Sequence, residues 1–150
     1  MSDIGPAGRA RVLVCITCRA ANAPADPPDA DPPDADAPGA DAPECDAPRA
    51  GMALAEATAA AAAGDSDISV QRIRCLGNCS RGLSAAIRCD HSWTYVFGGL
   101  EPARDGPSLV IGARLLALAA DGIMPWRGRP EPLKRGLIAR VPPVNFEEME

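Results

Sequence analysis

The sequence predicts a small α/β domain, an α+β mixed sheet with helices packed on it, in the order β-α-β-β-α. Three observations lead there. A short apolar run, Arg11-Val-Leu-Val-Cys15, has the length and β-branched content of a buried strand. An alanine-dense stretch from Gly51 to Ala63 follows, closed by Gly64-Asp65. Further on, Trp93-Thr-Tyr-Val-Phe97 alternates with period two before Gly98-Gly99 ends it.

The first strand ends in Cys15-Ile-Thr-Cys18, and Asn22 and Pro24 stop any regular element beyond it. Residues 24–48 read as an insertion: Asp26-Pro-Pro-Asp-Ala30 is repeated at Asp31-Pro-Pro-Asp-Ala35. Asp26, Asp29, Asp31, Asp34, Asp36, Asp41, Glu44 and Asp46 meet no Lys or Arg there. Such a segment cannot bury enough apolar area to offset the entropy of ordering, so it is expected to be a disordered loop within a single domain spanning 1–150. Alanine has the best helix propensity, which makes Gly51–Ala63 a helix. Ile68, Val70 and Ile73 lead into Arg74-Cys75 as a second strand. Leu76-Gly-Asn-Cys79-Ser-Arg-Gly82 is a turn-rich loop.

Ser84–Arg88 and Trp93–Phe97 form a hairpin around Asp90-His91-Ser92, with Trp93, Tyr95 and Phe97 packing one sheet face. From Ser108 to Ala120, Leu109, Ile111, Leu115, Leu116 and Leu118 recur near helical spacing, and Asp121-Gly122 closes this second helix. The strand–helix–strand start implies a right-handed crossover with the first two strands parallel. From Met124-Pro-Trp-Arg127 onward, Pro125, Pro130, Pro132, Pro142 and Pro143 predict an extended arm across the domain.

The chain has 150 residues, a net charge of −5, and only two Trp, one Tyr and two Phe, so Leu, Ile, Val and Ala must supply most of the core. Once the insertion is set aside, roughly 110–120 residues remain to fold, a size at which domains often lean on a metal. Met1-Ser-Asp-Ile-Gly-Pro6 has no positive start followed by a long apolar stretch, and no run approaches the ~18–20 apolar residues of a membrane span. A cytoplasmic location is therefore expected, and the six cysteines read as thiolate ligands or redox groups rather than a disulfide framework. The basic residues Arg127, Arg129, Lys134, Arg135 and Arg140 read as a solvated face or a docking surface for an acidic partner protein. With Trp126 the one stacking residue among them, nucleic acid is not expected.

Chemistry concentrates in two cysteine pairs. Cys15-x2-Cys18 follows the first strand and Cys75-x3-Cys79 the second. If those strands are parallel, both loops leave the same end of the sheet, and four thiolates can hold Zn2+ or a [2Fe–2S] cluster. The loop favours the cluster: Gly77 and Asn78 permit a tight turn whose N–H groups can point at sulfur. A thioredoxin-type redox pair in Cys15-Ile-Thr-Cys18 needs a helix N-terminus to lower a thiol pKa. The chain after Cys18 runs into proline instead, which argues against that reading. Cys45 reads as a surface thiol in the insertion, Cys89 as a half-buried thiol ending a strand, and His91 as a turn residue rather than a ligand. Paired carboxylates, a Ser/His/Asp set and a phosphate-binding glycine loop are not found, so enzymatic chemistry is not expected.

Taken together, Val14-Cys-Ile-Thr-Cys-Arg19, Cys75-Leu-Gly-Asn-Cys-Ser-Arg-Gly82, Trp93-Thr-Tyr-Val-Phe-Gly98 and Asp121-Gly-Ile-Met-Pro-Trp-Arg127 through Arg140-Val-Pro-Pro143 resemble a bacterial family of uncharacterised, predicted metal-binding proteins. That family looks like a branch of the thioredoxin-like [2Fe–2S] ferredoxins. The resemblance implies a thioredoxin-like fold and Cys15, Cys18, Cys75 and Cys79 as ligands of one cluster. It also implies electron transfer to a redox partner protein, with a supporting role in cobalamin or cobalt metabolism as a weaker expectation. The family pattern often carries a further Cys where Leu83 stands here. The rival readings are a zinc- or cobalt-handling accessory and a thiol oxidoreductase acting through Cys15 and Cys18. A homodimer through the helices or a sheet edge is compatible with any of them.

Overall fold

A computed structural model describes residues 9–17, 50–78, 81–144 and 146–147. The predicted insertion, with Cys45, lies outside the described residues, as do Cys18 and Cys79. The elements are β1 (Ala10–Cys15), α1 (Ala50–Ala62), β2 (Ile68–Ile73), β3 (Ala85–Cys89), β4 (Thr94–Phe97), α2 (Asp105–Ala117), α3 (Glu131–Arg135) and β5 (Leu137–Val141). They form a five-stranded mixed sheet in the order β2-β1-β3-β4-β5. The α+β class is as expected, but the order β-α-β-β-α undercounts the strands. The hairpin adds two strands beside β1, and a fifth follows the helices.

β1 and β2 are parallel, from Ala10 opposite Ile68 to Cys15 opposite Ile73. β3 runs antiparallel to β1, β4 to β3 and β5 to β4. Register assigns the faces, because residues directly opposite share a side. Val12, Ile87 and Tyr95 therefore face one way, as do Val14, Ala85 and Phe97. All six are buried, with α1 packed on β1 and α2 on β1 and β3. Arg11 and Arg88 oppose each other on the other face, and both are exposed.

The helices touch where side chains are smallest. A Cβ on Gly106 would sit 2.8 Å from the carbonyl carbon of Ala57, so α2 approaches α1 closely enough to require glycine. The second helix begins one turn earlier than its apolar spacing suggests. Pro107 is tolerated in the first turn, where a backbone N–H has no helical partner. The buried Asp105 carboxylate accepts the Glu101 N–H at 2.7 Å, closing the entry. This rotates the buried stripe to Leu109, Val110, Ala113 and Leu116 and leaves Ile111 and Leu118 exposed.

The tail is the larger correction. In place of an extended arm, residues 131–135 form a short helix, with Pro132 in its first turn, and residues 137–141 pair with β4 as an edge strand. Pro142 and Pro143 fall where that strand stops, which suits an edge that needs no further donors. Among the described residues no helix is long and apolar enough to cross a membrane.

Candidate metal centre

The parallel pairing of β1 and β2 brings two of the four predicted ligands to one rim. Cys15 is the last residue of β1, opposite Ile73, and Cys75 lies two residues past that partner. Neighbouring strands run about 4.8 Å apart, so the two cysteine-bearing ends start within the span of one four-sulfur centre. The backbone ties them further: Ile16 N–H donates to Ile73 O at 2.9 Å, and Cys15 N–H to Ser84 O at 3.1 Å. The Arg74 carbonyl accepts from Cys15 Sγ at 3.3 Å and from the Thr17 hydroxyl.

The two sulfurs differ in setting. Cys15 is buried, whereas Cys75 is exposed on its loop. Gly77, at φ 73°, turns the chain so that its N–H donates to Cys75 Sγ at 3.1 Å. An amide hydrogen bond of this kind disperses charge from a sulfur ligand. Asn78 anchors the same loop, its side-chain amide donating to Ser84 Oγ at 3.0 Å and its carbonyl accepting Arg81 N–H at 3.1 Å. The loop is then pinned to the β4 end, where Gly99 N–H donates to Arg81 O at 2.8 Å. Among the described residues no three His, Cys, Asp or Glu side chains converge as a metal-sized group; Cys18 and Cys79 lie outside that set. The chemistry of the donors still fits, because a buried strand-end thiol and an amide-bonded loop thiol at one rim are what a thiolate-bound centre needs.

One feature of this rim was not legible in the sequence. The N-terminus of α1 abuts Cys15: a Cβ on Gly51 would overlap the Cys15 carbonyl oxygen. The proline text after Cys18 argued that no helix stood near this cysteine. The structure corrects this, since the insertion separates Cys15 from α1 in sequence but not in space. A helix N-terminus is a region of positive potential that favours a thiolate or an anionic cluster.

The remaining cysteine and histidine stand elsewhere. Cys89 pairs with Ala10, five residues from Cys15 along β1, or about 16 Å at the rise of a strand. Cys89 is half-buried, and burial pushes its thiol above the ordinary value, outweighing the hydrogen bond from Ser92. His91 occupies the β3–β4 turn at φ 64°, at that same far end. Leu83, in the place where the family pattern often has a cysteine, is fully buried in the core.

Residues 37–143 match the model of a family described as protein of unknown function, DUF1636. A solved thioredoxin-like [2Fe–2S] ferredoxin from Aquifex aeolicus shares the fold at a TM-score of 0.50 and 19% identity. The alignment covers 93% of this chain and 99% of that one. No curated protein matches.

Proposed function

This chain belongs to the DUF1636 family of proteins of unknown function, and we propose that it is a small iron–sulfur electron-transfer protein. Cys15, Cys18, Cys75 and Cys79 would hold one [2Fe–2S] cluster, with Zn2+ as the alternative occupant. The observation that carries this reading is the convergence of Cys15 and Cys75 on one rim of a parallel strand pair. The Gly77 N–H on Cys75 Sγ and the α1 N-terminus at Cys15 supply positive potential for a thiolate-bound anion. The likeness in fold to a [2Fe–2S] ferredoxin supports it further. When bound, such a cluster takes up and returns one electron.

The chain's own residues orient the sulfurs, hydrogen-bond them and present the Cys75 loop to solvent, where a partner can approach. Arg74 and Arg81 flank that loop and would bias the potential and the docking of a redox partner protein. The role is that of a carrier, not an enzyme. Nothing in the fold bears on cobalamin or cobalt, and no such role is proposed. Anaerobic reconstitution with iron and sulfide should give visible charge-transfer bands and an EPR signal on reduction. Colourless protein with stoichiometric zinc would replace this reading with that of a metal-handling accessory.

The helix N-terminus beside Cys15 also favours a second reading, thiol–disulfide exchange through Cys15 and Cys18. Insulin reduction abolished by Cys15→Ser but untouched by Cys75→Ser would select it over the cluster.

A further inference from the structure

Arg129 is a buried cation without an ion pair among the described residues. It is 7% exposed, pairs with no carboxylate among the described residues, and spends its bonds on the backbone. Nη2 donates to Met124 O at 2.6 Å and Nε to Pro125 O at 3.4 Å, closing the turn that leads into α3. That structural task uses two of the five N–H donors of a guanidinium. Nη1 takes no part in it. Among the described residues no buried side-chain nitrogen or oxygen lacks a partner, so Nη1 must reach accessible space. The space available is a cavity of about 410 Å³, which Arg129 lines.

The walls of that cavity are aromatic and cationic. The guanidinium carbon lies 5.5 Å from the Tyr95 ring centroid and 5.2 Å from that of Trp126. Arg140, opposite Tyr95 in the β4–β5 register, lines the same cavity and stacks over Trp93 at 4.9 Å. Arg140 likewise has no ion pair among the described residues. The one acid in the lining is Asp121, whose carboxylate accepts the Ile123 N–H at 3.0 Å. Two guanidiniums and one carboxylate thus line the pocket, a net positive lining among the described residues. Trp126, 61% exposed, stands at the mouth. Buried charges are ordinarily paired, and a cavity of this volume suits a small organic ligand.

We propose that this is a binding site for a small oxyanion, a carboxylate or phosphate group, carried on a planar body. Arg129 Nη1 and Arg140 take the oxyanion, and Trp126 covers the planar part. Arginine suits such groups because its planar fork donates in parallel to two oxygens. The site is separate from the cysteine rim. Tyr95 lies level with Ile87 and Val12, three residues short of Cys15 and two strands away.

The chain's two tryptophans both stack on cations of this site, so intrinsic fluorescence of the full chain reads it directly. Inorganic phosphate and benzoate are titrated separately, against sodium chloride at matched ionic strength, with calorimetry as a second readout. A saturable change beyond that of chloride is expected with at least one probe. Phosphate alone would assign a phosphate-bearing ligand, and benzoate alone a carboxylate on a ring. Because Arg129→Gln could also unfold the turn, the exposed Arg140→Gln is the deciding variant. It should weaken binding about ten-fold. Cys15→Ser should bind unchanged, which keeps this result independent of the cluster. Equal affinity in Arg140→Gln, or no saturable change with either probe, overturns the proposal.

Discussion

At one end of the sheet Cys75 stands exposed on a loop, held by backbone: a Gly77 N–H on its sulfur and a carbonyl shared by Cys15 and Thr17. At the other end Tyr95 and Met124 are buried, and side chains do the holding. The Tyr95 hydroxyl accepts Met124 N–H at 2.9 Å, and Arg129 gathers two carbonyls of the same turn. The difference teaches where each end gets its order. At the far end a tyrosine hydroxyl and a guanidinium hold the backbone of the turn. At the cysteine rim a backbone N–H meets the Cys75 sulfur and the α1 N-terminus stands against the Cys15 carbonyl.

The largest effect that could break this contrast is loss of metal. Cys15→Ser and Cys75→Ser should each abolish iron and sulfide retention after anaerobic reconstitution, measured by metal analysis. Cys89→Ser should retain both, since its sulfur stands at the opposite end. Iron lost in Cys89→Ser, or kept in Cys75→Ser, would relocate the centre.

Next comes the approach of α1 to the rim. Gly51→Ala drives a methyl group into the Cys15 carbonyl and should cost about 1–3 kcal/mol in urea unfolding, with lower iron occupancy. Occupancy unchanged alongside full stability would mean the helix N-terminus is not needed there. On the far side, Tyr95→Phe strands the buried Met124 N–H and should cost about 1–2 kcal/mol while leaving iron content as it was. Iron lost in this variant would show the two ends to be coupled.

The smallest effect lies between them in character, a solvent-screened ion pair joining the α1–β2 turn to α2. Arg114 Nε donates to Asp65 Oδ2 at 2.8 Å, and this hydrogen bond, helped by the Asp67 N–H, holds the Asp65 carboxyl below the ordinary carboxylate range. A carboxylate with a depressed folded-state pKa contributes stability that is present above its unfolded value and fades as pH falls through the folded one. Arg114→Gln should therefore flatten the acid limb of the stability curve slightly and leave the midpoint near neutrality almost unmoved. A large loss at neutral pH would contradict this.

Much of the fold was legible because its signals are local. Alanine density marked α1 to within one residue, and the alternation from Trp93 to Phe97 marked β4 with Tyr95 and Phe97 on the inner face. Of the candidate site, the placement of Cys15 and Cys75 at one end followed from the parallel crossover alone. The start of α2 was misread because apolar spacing ignores Asp105, whose role is a hydrogen bond to Glu101. Arg129 was legible only as one positive charge among several, since nothing in Trp126-Arg-Gly-Arg129 announces that the second arginine turns inward.

By itself the sequence determined the positions of α1 and of strands β1 to β4, and that two thiol pairs follow two strands. These depend on periodicity and turn chemistry within a few residues. Tertiary structure alone decided that Leu137–Val141 is a strand, that α1 returns to Cys15 across the insertion, and that Arg129 is buried beside Tyr95. Each of these is a pairing between residues far apart in the chain. An edge strand, a helix end or a buried charge is defined by what stands next to it, and such neighbours leave no periodic trace in the sequence.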